Sequence, residues 1–205
     1  MTDGTPEQLP QNPLQEREFN QGQLARNLQA TLAGPIASLG SINAILSIGF
    51  GAGEEFKPLR ELFPLATLHG IDSEKDIVEN TQFFLQDEMS DSSNTAIWRA
   101  HAQNANAYRR HDYDLVMFRS LETHLISYGT INAILDETEK HLNKQGQLYF
   151  TVEDQDHEVS PLKTFLENRG YQVKIYENQF PFKRDGISTR IYKENYHLVA
   201  QKLTT

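Results

Sequence analysis

Apolar positions in this chain recur in short runs separated by polar, helix-compatible stretches. That alternation is expected of a sheet whose strands are joined by helices. Ala44-Ile45-Leu46-Ser47-Ile48 is an apolar run that ends in glycines, as in a strand buried on both faces. Further strands are expected at residues 65–71, 95–100, 113–118 and 147–152, and two more at 171–176 and 196–202. No helical pattern separates the last two, so they most simply pair antiparallel.

The intervening segments carry helical signals. Leu24, Leu28 and Leu32 recur at spacing four, predicting a helix over 14–32 that Gly34-Pro35 ends. Residues 57–63 read as a helix with Pro58 in its first turn, closed by Pro64. Ser73 is the expected N-cap of a helix reaching Met89, with Glu74 and Asp76 in its first turn and Ile77, Val78, Phe84 and Leu85 as the buried stripe. Ile131, Ile134, Leu135 and Leu142 fit another helix, and residues 161–168 one more that stops at Gly170. Together these elements predict an α/β sheet covered on both faces. Residues 1–36 form an N-terminal arm and helix, a cap or lid, ahead of one domain over 37–205.

Composition narrows the function. The chain has 205 residues, 38% of them hydrophobic, enough for one proper core. The net charge of −9 argues against a general nucleic-acid binder, which gains affinity by neutralising phosphates. The absence of cysteine removes disulfides, thiolate metal sites and cysteine nucleophiles together. With no apolar run long enough to span a bilayer and no signal-peptide pattern, the expected location is the cytoplasm.

The candidate chemistry lies after the first strand. Gly49-Phe50-Gly51-Ala52-Gly53 is a turn whose glycines let the backbone take positive φ and approach a ligand closely. Asp72 follows 23 residues after Gly49 (72 − 49), at the end of the second strand, where a carboxylate suits a ribose diol. A dinucleotide fingerprint needs glycine where this chain has Glu54, and a carboxylate there repels a pyrophosphate. The phosphate-cradling lysine loop is absent as well, so the turn suits a ligand without phosphates.

ILSIGFGAGEEF and LHGIDSEKDIVENT resemble the first two motifs of the class I S-adenosylmethionine-dependent methyltransferases, and YDLVMFRSLETHL and ILDETEKHLNKQGQLYF resemble their fourth and fifth strand regions. The resemblance covers residues 44–152. It implies a three-layer αβα sandwich with a seven-stranded mixed sheet in the order 3-2-1-4-5-7-6, strand seven antiparallel. It further implies S-adenosyl-L-methionine as cofactor, its methionine part at Gly49, Phe50, Gly51, Ala52 and Gly53 and its ribose at Asp72. Ser73, His101, Ala102 and Arg119 complete the expected cofactor contacts. Where the family often has an acidic residue followed by a small one, this chain reads Arg99-Ala100-His101-Ala102-Gln103-Asn104, so His101 or Gln103 is the candidate adenine contact.

Other candidates are less marked. Glu122 and His124, after the fourth strand, are candidates for a general base or substrate ligand, against a solvated loop. Glu153, Asp154, Asp156 and His157 read as a solvated acidic loop, and no metal is expected. Lys183, Arg184, Arg190 and Lys193 concentrate positive charge in the last loop, where an anionic substrate or an ordinary solvated loop are the two readings. Pyrimidine C5 methylation normally needs a cysteine. Amino-methylating nucleic-acid enzymes of the family carry an Asn/Asp-Pro-Pro-aromatic turn where this chain has Arg119-Ser120-Leu121-Glu122. A small-molecule acceptor under an N-terminal lid remains. The competing readings are a cofactor-binding module without transfer activity, acting as a partner or regulatory protein, and a nicotinamide oxidoreductase, which Glu54 disfavours.

Overall fold

The structure is a computed structural model of the chain and describes residues 13–39, 42–89, 94–119, 128–153, 156–177 and 194–203. Its strands are β1 (Ala44–Ile48), β2 (Thr67–Asp72), β3 (Thr95–Arg99), β4 (Tyr113–Phe118), β5 (Leu142–Glu153), β6 (Tyr171–Glu177) and β7 (Glu194–Lys202). Its helices are α1 (Pro13–Leu39), α2 (Phe56–Leu62), α3 (Lys75–Glu88), α4 (Tyr128–His141) and α5 (Asp156–Asn168). The strands form one sheet in the order β3-β2-β1-β4-β5-β7-β6, all parallel except β7, which runs antiparallel to both its neighbours.

β1 sits between β2 and β4, and every one of its residues is buried. Strand pleating sends alternate side chains to two separate cores. One core joins Leu24 and Leu28 of α1, Phe56 and Leu59 of α2 and Val78 and Leu85 of α3 with Ile45, Leu68, Leu115, Tyr149 and Val199. The other joins Ile131 and Leu135 of α4 and Leu162 and Leu166 of α5 with Leu46, Val116, Phe118, Phe150 and Leu198. On that second side His69 hydrogen-bonds the Tyr113 hydroxyl at 2.7 Å and packs on Trp98. Burial, then the charges of Arg109 and Arg110, lower the His69 pKa to about 4.

Several elements differ from their sequence expectation. Gly34-Pro35 does not end α1, which continues to Leu39; proline removes only one donor, and a helix of this length bears that loss. The second strand starts two residues later than expected, at Thr67, and Leu65 is 90% exposed. The N-cap position of α3 is Glu74 rather than Ser73, because the helix starts one residue later than expected; the Glu74 side chain makes no capping bond, and its N–H donates to Asp72 Oδ1 at 3.0 Å. Its buried row is Val78, Thr81, Leu85 and Met89, whereas Phe84 is 38% exposed with the Arg17 guanidinium 4.7 Å above its ring. Leu142 belongs to β5, paired with Tyr113, instead of to the preceding helix. α5 begins at Asp156, so Pro161 lies inside it rather than at its start. Gly170, with φ of 83°, ends it as expected.

Candidate active site

The glycine turn leaves β1 at the carboxyl edge of the sheet, beside the ends of β2 and β4. Gly49, Gly51 and Gly53 all take positive φ, 70°, 53° and 67°. Each glycine is required for a different reason. A side chain at 49 would meet the Arg119 carbonyl oxygen at 3.0 Å, and one at 53 would clash with Thr81 Cγ2. At 51 the space is open, so the turn presents bare backbone outward there. Gly49 N–H donates to Ile71 O, Gly53 N–H to Phe50 O and Thr81 Oγ1 to Gly51 O, which pins the loop from three sides.

Asp72 is 8% exposed and lies against this turn. Its Oδ2 accepts from Gly51 N–H at 3.1 Å and its Oδ1 from Glu74 N–H at 3.0 Å. A carboxylate accepts about four hydrogen bonds, so each oxygen keeps one free lone pair. The segment after β3 runs alongside. Ala100 N–H donates to Asp72 O, and Arg99 Nε to Ser73 O at 2.9 Å. His101 is exposed there, while Ala102 is buried and accepts the Tyr108 hydroxyl at 2.8 Å.

Beneath the turn lies a buried ionic group that the sequence did not announce. Glu55 is 0% exposed; Ser47 Oγ donates to its Oε1 at 2.5 Å and Arg119 to its Oε2 at 2.9 Å. Arg119 also approaches Glu54 at 3.8 Å. α1 closes over the same loop. Arg17 donates to Ala52 O at 2.6 Å, and Asn20 to Glu54 Oε1 at 2.9 Å.

The structure therefore brings Gly49, Gly51, Gly53, Asp72, Ser73, His101, Ala102 and Arg119 to one edge. Phe50 faces the core, edge-on to Phe56, and only its backbone belongs to the turn. Ala52 is exposed, with its carbonyl taken by Arg17. Glu122, His124, Lys183, Arg184, Arg190, Lys193 and Asp154 lie outside the described residues, and of the side chains of Glu153, Asp156 and His157 nothing is described.

A mixed sheet of this order, with the turn and the acidic strand end at its carboxyl edge, defines the fold. The chain has the class I methyltransferase fold. Solved structures with this architecture are similar over nearly its whole length. Magnesium protoporphyrin IX methyltransferase from Synechocystis PCC 6803, solved with bound S-adenosylmethionine, superimposes with a TM-score of 0.64 at 15% identity, covering 96% of this chain and 86% of that one. The glycopeptide N-methyltransferase, also solved with S-adenosylmethionine, gives 0.65 at 9% identity over 89% of this chain and 93% of that one. A protein described as precorrin 8w decarboxylase, from Methanobacterium thermoautotrophicum, gives 0.61 at 17%, over 88% and 90%. No family model and no curated protein matches the sequence. At these identities the likeness is one of methyltransferase fold, and function has to be argued from the site.

Proposed function

We propose that the chain is an S-adenosylmethionine-dependent methyltransferase acting on a small-molecule acceptor. The observation that carries this reading is the Gly51–Asp72 contact: a glycine turn with three positive φ angles locked to a carboxylate that retains accepting capacity.

The residues fit a sulfonium nucleoside and do not fit a phosphorylated one. Among the described residues Glu54, Glu55 and Asp72 surround the turn, against two cations, Arg119 after β4 and Arg17 of α1. That balance repels a pyrophosphate and favours a ligand carrying positive charge. Asp72 would hold the ribose diol through its free lone pairs, and the open face at Gly51 would admit the methionine part. His101 and Ala102 would flank the adenine beside Asp72. Arg119, fixed by Glu55, would set the wall between the turn and the end of β4.

The cofactor, when bound, supplies an electrophilic methyl on a good leaving group. This chain's own residues then need to orient and to exclude water, more than to react. α1, latched to the turn by Arg17 and Asn20, is the proposed cap. Glu122 and His124 are the proposed proton acceptors where the acceptor arrives protonated, and Lys183, Arg184 and Arg190 are the proposed contacts for an anionic acceptor.

Isothermal titration with S-adenosylmethionine, its demethylated product and NAD tests the reading. Binding of both sulfur nucleosides and not of NAD is expected, and a folded protein silent toward both would end it. A screen with labelled methyl then identifies the acceptor; cofactor binding with no transfer to any acceptor would favour the inactive binding module.

A further inference from the structure

α1 packs on the sheet through a face of unusual composition. Helices that cover a sheet bury an apolar stripe, as α5 does with Val159, Leu162 and Leu166. Among the described side chains of α1, the fully buried apolar ones are Leu24 and Leu28. Arg17, Asn20, Gln21, Gln23, Asn27 and Thr31 are buried beside them. The sheet is polar where it meets this helix. Tyr149 and Val199 share a core with Leu24 and Leu28, and strand alternation puts Gln147, Thr151 and His197 on the same face. All three are buried, and His197 bonds the Tyr149 hydroxyl at 2.6 Å.

A contact of this kind opens readily. The hydrophobic term scales with apolar area and rests here on two leucines, whereas undocked amides and hydroxyls regain hydrogen bonds from water. Polar interfaces within a chain are those across which parts move, and elements that bury few apolar contacts open below the free energy of global unfolding. α1 also lies ahead of β1 and contributes no strand, so its departure leaves every strand pairing intact.

The opening acts on the glycine turn. Arg17 donates to Ala52 O and Asn20 to Glu54, and the Arg17 guanidinium rests on Phe84 of α3. These contacts are lost together when α1 leaves. We propose that α1 undocks as a unit from an otherwise folded sheet, and that this opening loosens the glycine turn and gates its cofactor. The cofactor half rests on the methyltransferase reading; the undocking does not.

Native-state hydrogen exchange on the ¹⁵N-labelled full chain, in urea below the unfolding transition, reads the undocking. Amides from Gln23 to Thr31 should share one opening, with a denaturant slope well below that of β1 and β4. Arg17→Ala should populate that opening about tenfold more, and the Gly51 and Gly53 amides should follow it. Exchange of α1 only at the slope of β1 would overturn the undocking, as would amides that open one by one with no slope. Rapid filtration with labelled S-adenosylmethionine reads the gate. A gate acts on passage in both directions, so Arg17→Ala should raise association and dissociation rates together, severalfold, with Kd little changed. A change confined to dissociation would make Arg17 a simple contact and overturn the gate. A folded protein that fails to bind S-adenosylmethionine ends the methyltransferase reading and the cofactor half with it, while exchange still decides the undocking.

Discussion

Removing the Arg119 guanidinium isolates a carboxylate that has no access to water. Glu55 is 0% exposed and holds two donors, Arg119 at 2.9 Å and Ser47 at 2.5 Å. In Arg119→Met only the neutral Ser47 hydroxyl remains. Breaking a buried pair from one side typically costs about 3–5 kcal/mol. Arg119→Met should therefore lose about 3–5 kcal/mol. The double variant Glu55→Gln/Arg119→Met should lose far less than the two single losses combined, a coupling of about 2–3 kcal/mol. Glu54, partly exposed and also bonded by Asn20, adds little to this sum. Urea unfolding at pH 7 of the single and double variants measures both quantities. A loss below about 1 kcal/mol, with no coupling in the double variant, would mean that water reaches Glu55 and that the pair is not isolated.

Gly53→Ala should cost about 2–5 kcal/mol, combining left-handed backbone strain with the clash at Thr81. Gly51→Ala, with the same strain and open space, should cost about 1–2 kcal/mol; thermal melts that rank the two equally would refute the packing argument. Asp72→Ala should weaken S-adenosylmethionine by roughly a hundredfold, from two lost charge-assisted hydrogen bonds, and titration calorimetry showing unchanged affinity would place the ribose elsewhere. His69, lowered from 6.5 to about 4, stays neutral in the fold while the unfolded chain takes up a proton below pH 6.5. Stability should therefore fall as pH drops from about 6.5 to about 4 and level off below. The full shift corresponds to about 3.4 kcal/mol, and partial exposure of the ring reduces it to about 1–2 kcal/mol. In His69→Gln that slope should flatten, and an identical slope in urea titrations would exclude His69 as its source.

What the sequence disclosed and what it hid follow from the range of the interactions involved. β1 was legible because burial on both faces writes an uninterrupted apolar run, and the glycine turn because only glycine takes φ near 60° without strain. The sheet order came from resemblance, since no local pattern encodes which strand lies beside which. Ser73 has the right chemistry for a cap but lies one residue too early, since α3 starts at Lys75 with Glu74 as its N-cap, while Asp72 accepts from the Gly51 and Glu74 N–H groups. Phe84 reads as core by periodicity, yet Arg17, 67 positions away (84 − 17), covers it from α1. Glu55 resembles any surface glutamate in a helix start; only Ser47 and Arg119, brought in by β1 and β4, bury it. Asn20, Gln23, Asn27 and Thr31 are buried polar residues of α1 that no apolar periodicity marks.

The placement of α1 also sets an order of events at the ribosome. This helix emerges before the sheet, and its first partners follow it closely: Leu24 and Leu28 pack with Ile45, Phe56, Leu59 and Leu68, while Arg17 and Asn20 bond Ala52 and Glu54. Val199, in the same core, comes from the last strand. At roughly 5–20 residues per second, about 7–26 s separate Leu68 from Val199. The latch on the glycine turn can therefore close while the carboxyl-terminal hairpin is still being made, and β7 seals a helix that is already seated.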